Sequence, residues 1–563
     1  MLLAQESSLR LDAGAVDYAI IALYFVFVLG IGYLARHAIS NSLDFFLSGR
    51  SLPAWITGLA FISANLGAIE IMGMSANGAE FGMPTVHYFW IGAIPAMLFL
   101  GIVMMPFYYG SKVRSVPEFM LRRFGPGAHL VNAISFAVAQ VLIAGINLFL
   151  LAKIVNVLLG WPLWVAVIVA GVIVLTYITA GGLSAAIYNE VLQFFVIVAA
   201  LLPLTLIGLN NVGGWDGLTQ RVSQAGYGEQ MTAWPGSELV GLDSDLLSVI
   251  GLVFGLGFVL SFGYWTTNFV EVQRAMASKS MGNARRTPII GAFPKMFVPF
   301  IVIVPGMVSA VLVPEMVQGK AQGTVDYNNA LLYLMRDLLP NGMLGLAIAG
   351  LLASFMAGMA ANISSFNTVF SYDIWQDYVV KDRDDGYYLG VGRVITVVAT
   401  VAAMGTAFIA ATYTNLMDYL QLLFSFFNAP LFATFILGMF WKKMTPTAGW
   451  VGLVSGTLAA IVIAVLSEDA FGAYSLGVLP LAGQGASFVA AGVAFVVDIA
   501  ISYAVTMAGR PKPERELVGL VYSLTPKENF HDPRDARDAW YQKPSLLAGI
   551  ALVLVIILNI VFA

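Results

Sequence analysis

The sequence contains no cysteine and few charged residues, and each shortage excludes a class of protein. Without cysteine there is no disulfide framework, no thiolate metal site and no cysteine nucleophile. Charged residues make up 11% of the 563 residues, whereas soluble domains have about 25%. Hydrophobic residues make up 59%, and the mean hydropathy is +0.83. Because a bilayer accommodates this much apolar surface and a water-soluble core does not, the composition predicts a polytopic membrane protein.

The residues that most enzymes and metal sites need are also missing. The four histidines are isolated, and none has the spacing of a metal-ligand pair (His37, His87, His129 and His531). The chain has neither an HExxH motif nor a glycine-rich phosphate loop. We therefore expect no enzymatic activity, no cofactor, no nucleic-acid partner and no obligatory protein partner. The expected partners are a small-molecule substrate and the lipid bilayer.

Long apolar runs predict an all-α protein with about fourteen transmembrane helices, since about 20 apolar residues cross the hydrocarbon core as a helix. The predicted spans are 16–36, 53–77, 83–109, 129–158, 162–180, 186–210, 244–270, 287–315, 342–372, 389–412, 416–441, 447–467, 479–506 and 545–563. The polar N-terminal residues lack the basic start and the cleavage site of a signal peptide, so we expect the first span to be retained.

Lysine and arginine are distributed unequally between the two sides of these spans. One set of alternate loops holds 22 of the 28 basic residues, the other set holds 5, and Lys295 lies within a span. Since cytoplasmic loops are enriched in basic residues, this distribution predicts a multi-pass cell-membrane protein with the N-terminus and the C-terminus both outside. The longest stretches between spans, 211–243 outside and 507–544 inside, are too short for a catalytic domain.

Two spans contain polar and small residues where a lipid-facing helix has none. The second span has Asn65, Gly67 and Glu70 near its middle, and the seventh changes from apolar to polar at Ser261–Phe262–Gly263. Interrupted helices at corresponding positions of two halves are typical of inverted-repeat transporters, which bind substrate at the membrane midplane. A packing seam of small residues is the alternative explanation, but a break is favoured because Asn65 and Glu70 require polar partners.

These interruptions predict two repeats with additional helices at both ends. The predicted division is 1–52 for an N-terminal extra helix and the first cytoplasmic loop, 53–210 for the first inverted repeat, 211–243 for an extracellular loop, 244–441 for the second inverted repeat, and 442–563 for C-terminal extra helices with the cytoplasmic loop 507–544.

Several motifs resemble those of the sodium/solute symporter family, and within it the sodium/sugar (glucose/galactose) cotransporter branch. FLSGRSLPAW leads into ISANLGAIEIMGMS in the second span, and YITAGGLSAAIYNEVLQ joins the fifth and sixth. YWTTNFVEVQRAMASKS ends the seventh span and FNTVFSYDIWQDY ends the ninth. The resemblance covers about 46–449. It implies a leucine-transporter-like fold of five-plus-five inverted repeats and symport of a small polar organic solute, a sugar or sugar-like molecule, with sodium.

The resemblance also implies the solute site. The family's sugar-site residues fall on Asn65, Glu70, Tyr264, Trp265, Lys295 and Gln421. An aromatic face beside amide, carboxylate and ammonium groups suits a polyhydroxyl solute, because the ring covers C–H faces while the polar groups bond hydroxyls. The third span departs from the pattern, since Phe89 stands where sugar carriers have Glu. Glu70 stands where they have Gln or His. A sugar derivative, a polyol or another organic solute therefore remains open.

The sodium site implied by the resemblance departs further from the family. Its backbone carbonyls fall on Ser63 and Leu66, and its positions in the ninth span fall on Ser354, Ala357 and Gly358. Any residue supplies a carbonyl, but Ala357 and Gly358 lack the hydroxyl groups expected there. The side-chain ligands of sodium, the coupling ion that the resemblance implies, are therefore depleted.

Three outcomes follow from this depleted site. Sodium binds with other oxygens, for which Ser354 and Asn362 are candidates; or a proton replaces sodium; or transport is uncoupled. Because a buried carboxylate binds a proton readily, the candidate proton or charge residues are Glu70, Glu190 and Glu271. Glu190 falls on an acidic position common in the family, whereas Glu271 is less usual.

Overall fold

The computed structural model describes residues 9–35, 48–111, 113, 115–234, 237–240, 245–468, 470, 475–526, 530, 532–533 and 539–563. Within these ranges the side chains of 32, 35, 49, 176–185, 237–238, 245–247 and 385 are not described. Residues 1–8 lie outside the described residues, as do eight basic and histidine residues considered above (Arg36, His37, Lys112, Arg114, Lys527, His531, Arg534 and Arg537).

The described residues form helices and no β-strand. In chain order the helices are α1 Ala15–Ala35, α2 Ala54–Asn65, α3 Ile69–Phe81, α4 Met83–Gly110, α5 Val116–Arg123, α6 Pro126–Leu159, α7 Leu163–Val212, α8 Gly214–Gln224, α9 Ser248–Thr267, α10 Phe269–Met276, α11 Met281–Leu312, α12 Pro314–Gln322, α13 Ala330–Leu338, α14 Met343–Val379, α15 Asp385–Ala410, α16 Leu416–Phe440, α17 Pro446–Leu466, α18 Gly483–Ala508 and α19 Pro544–Val561. The all-α class is confirmed.

Most of these helices have the length and composition of membrane spans. Eleven helices of the described residues qualify, and the bent pair α2 and α3 makes twelve if it is one span. Two shorter apolar stretches, Ala15–Ile31 and Leu163–Leu175, lie at the predicted first and fifth spans. The membrane class therefore agrees with the sequence, while the count of fourteen stays a prediction, as do the repeat boundaries.

The predicted connection between the fifth and sixth spans is helical and not a loop. The fifth and sixth predicted spans, 162–180 and 186–210, belong to the single continuous helix α7. No proline lies between Pro162 and Pro203, and glycine within a helix costs only about 1 kcal/mol relative to alanine, so the sequence contains no strong helix breaker there.

The break predicted in the second span is confirmed. Helix α2 ends at Asn65, and α3 begins at Ile69 with its axis bent by 56°. Leu66, with φ −73° and ψ 43°, closes α2 and leaves the helical conformation. The last four carbonyls of a helix have no partner within it, so the break brings unpaired backbone oxygens to this depth of the bundle.

The break predicted in the seventh span occurs at a different residue. The chain is helical through Ser261–Phe262–Gly263 and stays so to Thr267, and Asn268 is extended, with ψ 118°. The Asn268 side chain accepts a hydrogen bond from the Val270 amide at 3.0 Å and so starts α10. Gly263 allows close packing instead, because a Cβ there would lie 2.8 Å from the Asn428 carbonyl oxygen.

Helix α14 lies at the centre of the bundle. It packs against α1, α2, α6 and α7, and most of its residues are buried. Its sequence is rich in glycine and alanine, which allow membrane helices to approach closely. At Gly350, for example, a Cβ would lie 2.3 Å from that of Ala200 in α7. This close packing holds α14 directly beside the break between α2 and α3.

Candidate solute and ion site

A cavity of about 90 Å³ lies at the break between α2 and α3. It is lined by residues of α2, α3, α4, α6, α9, α11, α14 and α16. All six residues predicted to bind the solute line it: Asn65, Glu70, Tyr264, Trp265, Lys295 and Gln421. They come from positions as far apart in the chain as 65 and 421, and only the fold brings them together.

Lys295 is the central charged group of this cavity. Its side chain is 1% exposed, and its ammonium group donates to Glu70 Oε1 and to Asn65 Oδ1. Asn65 at the end of α2 and Glu70 at the start of α3 thus both contact α11. A buried charge requires such compensation, because desolvating an unpaired ammonium group is strongly unfavourable. The ion pair leaves this part of the cavity without net charge.

Two aromatic rings contact the same ammonium group. The Lys295 Nζ atom lies 5.2 Å from the centroid of the Trp265 ring and 4.8 Å from that of Phe89. Both distances are within the range of a cation–π interaction. The two rings and Glu70 therefore contact the same ammonium group.

Tyr264 connects the solute cavity to a second carboxylate. Its hydroxyl accepts from Asn65 Nδ2 at 3.0 Å and donates to Glu271 Oε1 at 2.8 Å. Its ring packs against Phe424, with centroids 4.7 Å apart. A continuous chain of hydrogen bonds therefore runs from Glu70 through Lys295, Asn65 and Tyr264 to Glu271.

The remaining candidate carboxylates differ in their compensation. Glu190 forms a two-contact ion pair with Arg274, at 2.6 Å and 3.3 Å, and both side chains are fully buried. Glu271 is equally buried, but its Oε2 atom has no hydrogen-bond partner. Glu271 thus keeps one oxygen without a hydrogen-bond partner, whereas Glu190 is paired with a cation.

The predicted ion-site positions lie on two elements that touch. Ser63 and Leu66 are buried at the end of α2, and Ser354, Ala357 and Gly358 are buried in α14. The Ser354 hydroxyl donates to the Leu351 carbonyl of its own helix at 2.8 Å, so it is engaged locally. The structure therefore brings the predicted positions together without adding a hydroxyl at 357 or 358. Asn362 lines the neighbouring cavity.

Three contributions were not assigned from the sequence. Asn147 of α6 lines the cavity; its polarity within a predicted span makes it a functional candidate, but the sequence gives it no specific contact. The sequence showed only that Phe89 stands in place of a carboxylate of the sugar carriers; it did not predict the contact of its ring with Lys295. The helix start at Asn268 has a sequence signal that was missed, since asparagine is a preferred N-cap residue.

Comparison with known proteins decides the family. The model of the sodium:solute symporter family matches residues 45–456, which is well over half of the chain. The chain belongs to the sodium:solute symporter family. It is therefore a multi-pass membrane transporter of a small solute and not an enzyme.

Similar proteins in this family match along most of their length. The sodium/glucose cotransporter 4 of Danio rerio is 28% identical over 92% of this chain and 82% of the relative. The sodium/glucose cotransporter of Vibrio parahaemolyticus is 28% identical over 78% and 83%, and the sodium/myo-inositol cotransporter 2 of Oryctolagus cuniculus is 28% identical over 80% and 70%.

A solved structure supports the fold. A Na⁺-coupled sialic acid symporter in a substrate-bound outward-open state superposes with a TM-score of 0.72, covering 89% of this chain and 99% of the other. At 17% sequence identity this similarity shows the shared fold alone.

Proposed function

We propose that this member of the sodium:solute symporter family is a sodium-coupled symporter of a small polyhydroxyl solute, a sugar or a sugar-like molecule. The observation that supports this most directly is the cavity at the helix break, lined by all six predicted solute residues. The relatives named for glucose and myo-inositol support the same solute class, since both are neutral polyhydroxyl compounds.

The chemistry of the cavity suits recognition of hydroxyl groups. Lys295 donates, Glu70 accepts, and the amides of Asn65 and Gln421 do both. The Trp265 ring offers an apolar surface for the C–H face of a sugar ring. Because Lys295 and Glu70 neutralise each other, a neutral solute enters without leaving a buried charge unpaired.

Sodium is the coupling ion of this proposal, and no other cofactor is required. The unwound segment between α2 and α3 supports it, because half-helix ends and free carbonyls coordinate sodium in transporters with broken helices. Movement of the ion down its gradient then drives uptake by alternating access around the fixed site.

Proton coupling is the second candidate, favoured by Glu271. This buried carboxylate has an unpartnered oxygen and bonds Tyr264, which in turn bonds Asn65 of the solute cavity. Taking up a proton would remove the charge of the carboxylate, turn that oxygen into a donor and alter the Tyr264 hydrogen bond. The scaffold would then couple solute movement to a proton gradient.

We also propose a location and an orientation. The protein resides in the cell membrane with both termini outside, because 22 basic residues fall on the side predicted to be cytoplasmic and 5 on the other. It acts without an obligatory protein partner.

Uptake into liposomes tests these proposals. The purified chain is reconstituted, and uptake of labelled glucose, galactose and myo-inositol is measured under a sodium gradient, a proton gradient or neither. Accumulation above equilibrium under the sodium gradient is expected. Gln421→Ala and Lys295→Ala should weaken apparent solute affinity, while Gln140→Ala, a buried glutamine of α6 outside the cavity lining, should not.

Each alternative has its own result. Accumulation driven only by a proton gradient, and lost in Glu271→Gln, would establish proton coupling. Equilibration without accumulation would establish an uncoupled carrier. Failure to transport any of these compounds would reject the polyhydroxyl solute class, and unchanged affinity in both Gln421→Ala and Lys295→Ala would reject the site.

A further inference from the structure

Three elements meet in one small region beside the solute cavity. A Cβ atom on Gly358 of α14 would lie 3.3 Å from the Gly67 Cα atom in the break and 3.0 Å from the Oδ1 atom of Asn147 in α6. A Cβ on Gly67 would lie 3.4 Å from the same Asn147 oxygen. The amide oxygen therefore occupies the space into which a side chain at 358 would extend.

This amide oxygen has no partner. Asn147 is 3% exposed, and its Nδ2 atom donates to the Ile143 carbonyl of its own helix at 3.3 Å. Its Oδ1 atom is buried and accepts no hydrogen bond in the described part of the chain. Buried polar atoms are nearly always satisfied, so an oxygen held between a helix break and a neighbouring helix requires an explanation.

Other oxygens converge on the same region. Helix α2 ends at Asn65, so its last carbonyls, including that of Ser63, lack partners within the helix and carry the negative end of its dipole. The Ser354 carbonyl oxygen lies 3.8 Å from the position of a Cβ on Gly67. Carbonyl and amide oxygens are hard, neutral ligands of the kind that alkali cations bind.

We propose that Asn147 Oδ1 is a direct ligand of the coupling sodium ion and replaces the hydroxyl that Ala357 and Gly358 cannot supply. The site would consist of this oxygen together with backbone carbonyls at the end of α2 and in α14. The inference rests on the proposed sodium coupling and names the side chain that makes the depleted site functional. An amide does not titrate, so a requirement for Asn147 in coupling would indicate sodium and not a proton.

The direct test is sodium binding to the purified full-length chain without solute. Binding of radiolabelled Na⁺ is measured for the wild type and for Asn147→Ala, with Asn132→Ala as the control, since Asn132 is a second buried asparagine of α6. Asn147→Ala should raise the half-saturating Na⁺ concentration by about tenfold or more, the loss expected for one charge-assisted oxygen contact. Asn132→Ala should leave it unchanged.

A rescue experiment tests whether the oxygen itself matters. Asn147→Ala empties the space beside Gly358, so adding Gly358→Ser to it returns an oxygen from the other helix. This double variant should restore the half-saturating Na⁺ concentration to within about threefold of the wild type, a difference of about 0.7 kcal/mol. Asn147→Ala combined with Gly358→Ala fills the same space without an oxygen and should not restore it.

A charged substitution covers the case in which the alanine variants do not fold. Asn147→Asp keeps the oxygen and adds a negative charge, so it should lower the half-saturating Na⁺ concentration. Unchanged sodium affinity in Asn147→Ala, or weaker affinity in Asn147→Asp, would overturn the inference while sodium-driven uptake by the wild type stands. If the wild type shows neither sodium binding nor sodium-driven uptake, the proposed function fails and this inference fails with it.

Discussion

The hydroxyl of Tyr264 donates to Glu271 at 2.8 Å while accepting from Asn65 at 3.0 Å, so one side chain joins the solute cavity to a fully buried carboxylate. Tyr264 lies three residues before Thr267, where α9 ends, and Glu271 lies in the first turn of α10 on the other side of the break. A rearrangement of either half of this span therefore changes the hydrogen bond.

Removing this hydroxyl tests its role. Tyr264→Phe keeps the ring contact with Phe424 but deletes both hydrogen bonds, one of which is to a carboxylate. These bonds hold Asn65 in place in the solute cavity. Since a hydrogen bond to a charged group contributes about 1.5–3 kcal/mol to such an arrangement, we expect the solute concentration for half-maximal uptake to rise by about tenfold or more.

The control is a buried tyrosine hydroxyl that does not line the cavity. Tyr24 donates to the Met356 sulfur at 3.7 Å and accepts from Gln193 at 3.2 Å. Tyr24→Phe should leave solute affinity unchanged. Equal loss in both variants would show that Tyr264 acts through general packing.

The two buried carboxylates should respond differently to neutralisation. Glu190→Gln leaves the Arg274 guanidinium buried without its counter-charge, which destabilises a protein by about 3–5 kcal/mol. Glu271→Gln removes a charge that has no ion-pair partner in the described residues. Thermal unfolding in detergent should therefore show a large loss of midpoint temperature for Glu190→Gln and a small change for Glu271→Gln. A larger loss of midpoint temperature for Glu271→Gln than for Glu190→Gln would contradict the conclusion that Glu190, and not Glu271, is the ion-pair partner of Arg274.

Lys295 and Glu70 should behave as one unit. Lys295→Met leaves a partly buried carboxylate and Glu70→Gln leaves a buried ammonium group, so each single variant should be destabilised. The double variant removes both charges and should be more stable than the sum of the single effects predicts, with a coupling energy of about 1–3 kcal/mol. Thermal unfolding of the four proteins measures this coupling.

The solute assay separates this effect from binding. The double variant should remain deficient in uptake, because both charged groups that we propose to contact the solute hydroxyls are gone. Additive destabilisation in the cycle would show that the two charges do not compensate each other.

Close packing between α3 and α11 provides a prediction about stability. A Cβ on Gly306 would lie 1.9 Å from the Ser75 carbonyl oxygen, so Gly306→Ala must displace one helix. We expect a loss of about 1–3 kcal/mol, as for other overpacked sites, measured as a lower unfolding midpoint. Gly405→Ala is the control, because nothing lies within 4 Å of a Cβ there and alanine favours the helix. Equal stability of the two variants would contradict this packing.

The break in the second span was predictable because its cause is local. Asn65 and Glu70 are polar residues in an apolar stretch, and a lipid-facing helix does not tolerate them there. The break in the seventh span was predicted at the wrong residue, because a glycine can either end a helix or allow close packing and the sequence does not tell which. Gly263 allows the Asn428 carbonyl to approach closely, and the helix ends at Asn268, whose side chain caps α10.

The site illustrates the same division. Lys295, Glu70 and Trp265 were identified from motifs. The ion pair between Glu70 and Lys295, however, joins residues more than 200 positions apart in the chain. The unassigned oxygen of Asn147 had no sequence signal that linked it to Gly358, because the two positions meet only through the packing of α6 against α14.

Composition and motif order by themselves determined the membrane class, the all-helical fold and the family, since hydropathy and short-range pattern are properties of the chain. The tertiary structure alone decided which buried charges compensate each other, where the seventh span breaks and which oxygens face the break. Those features arise from contacts between helices, and in a bilayer such contacts depend on the close fit of small residues, which no single segment of the sequence specifies.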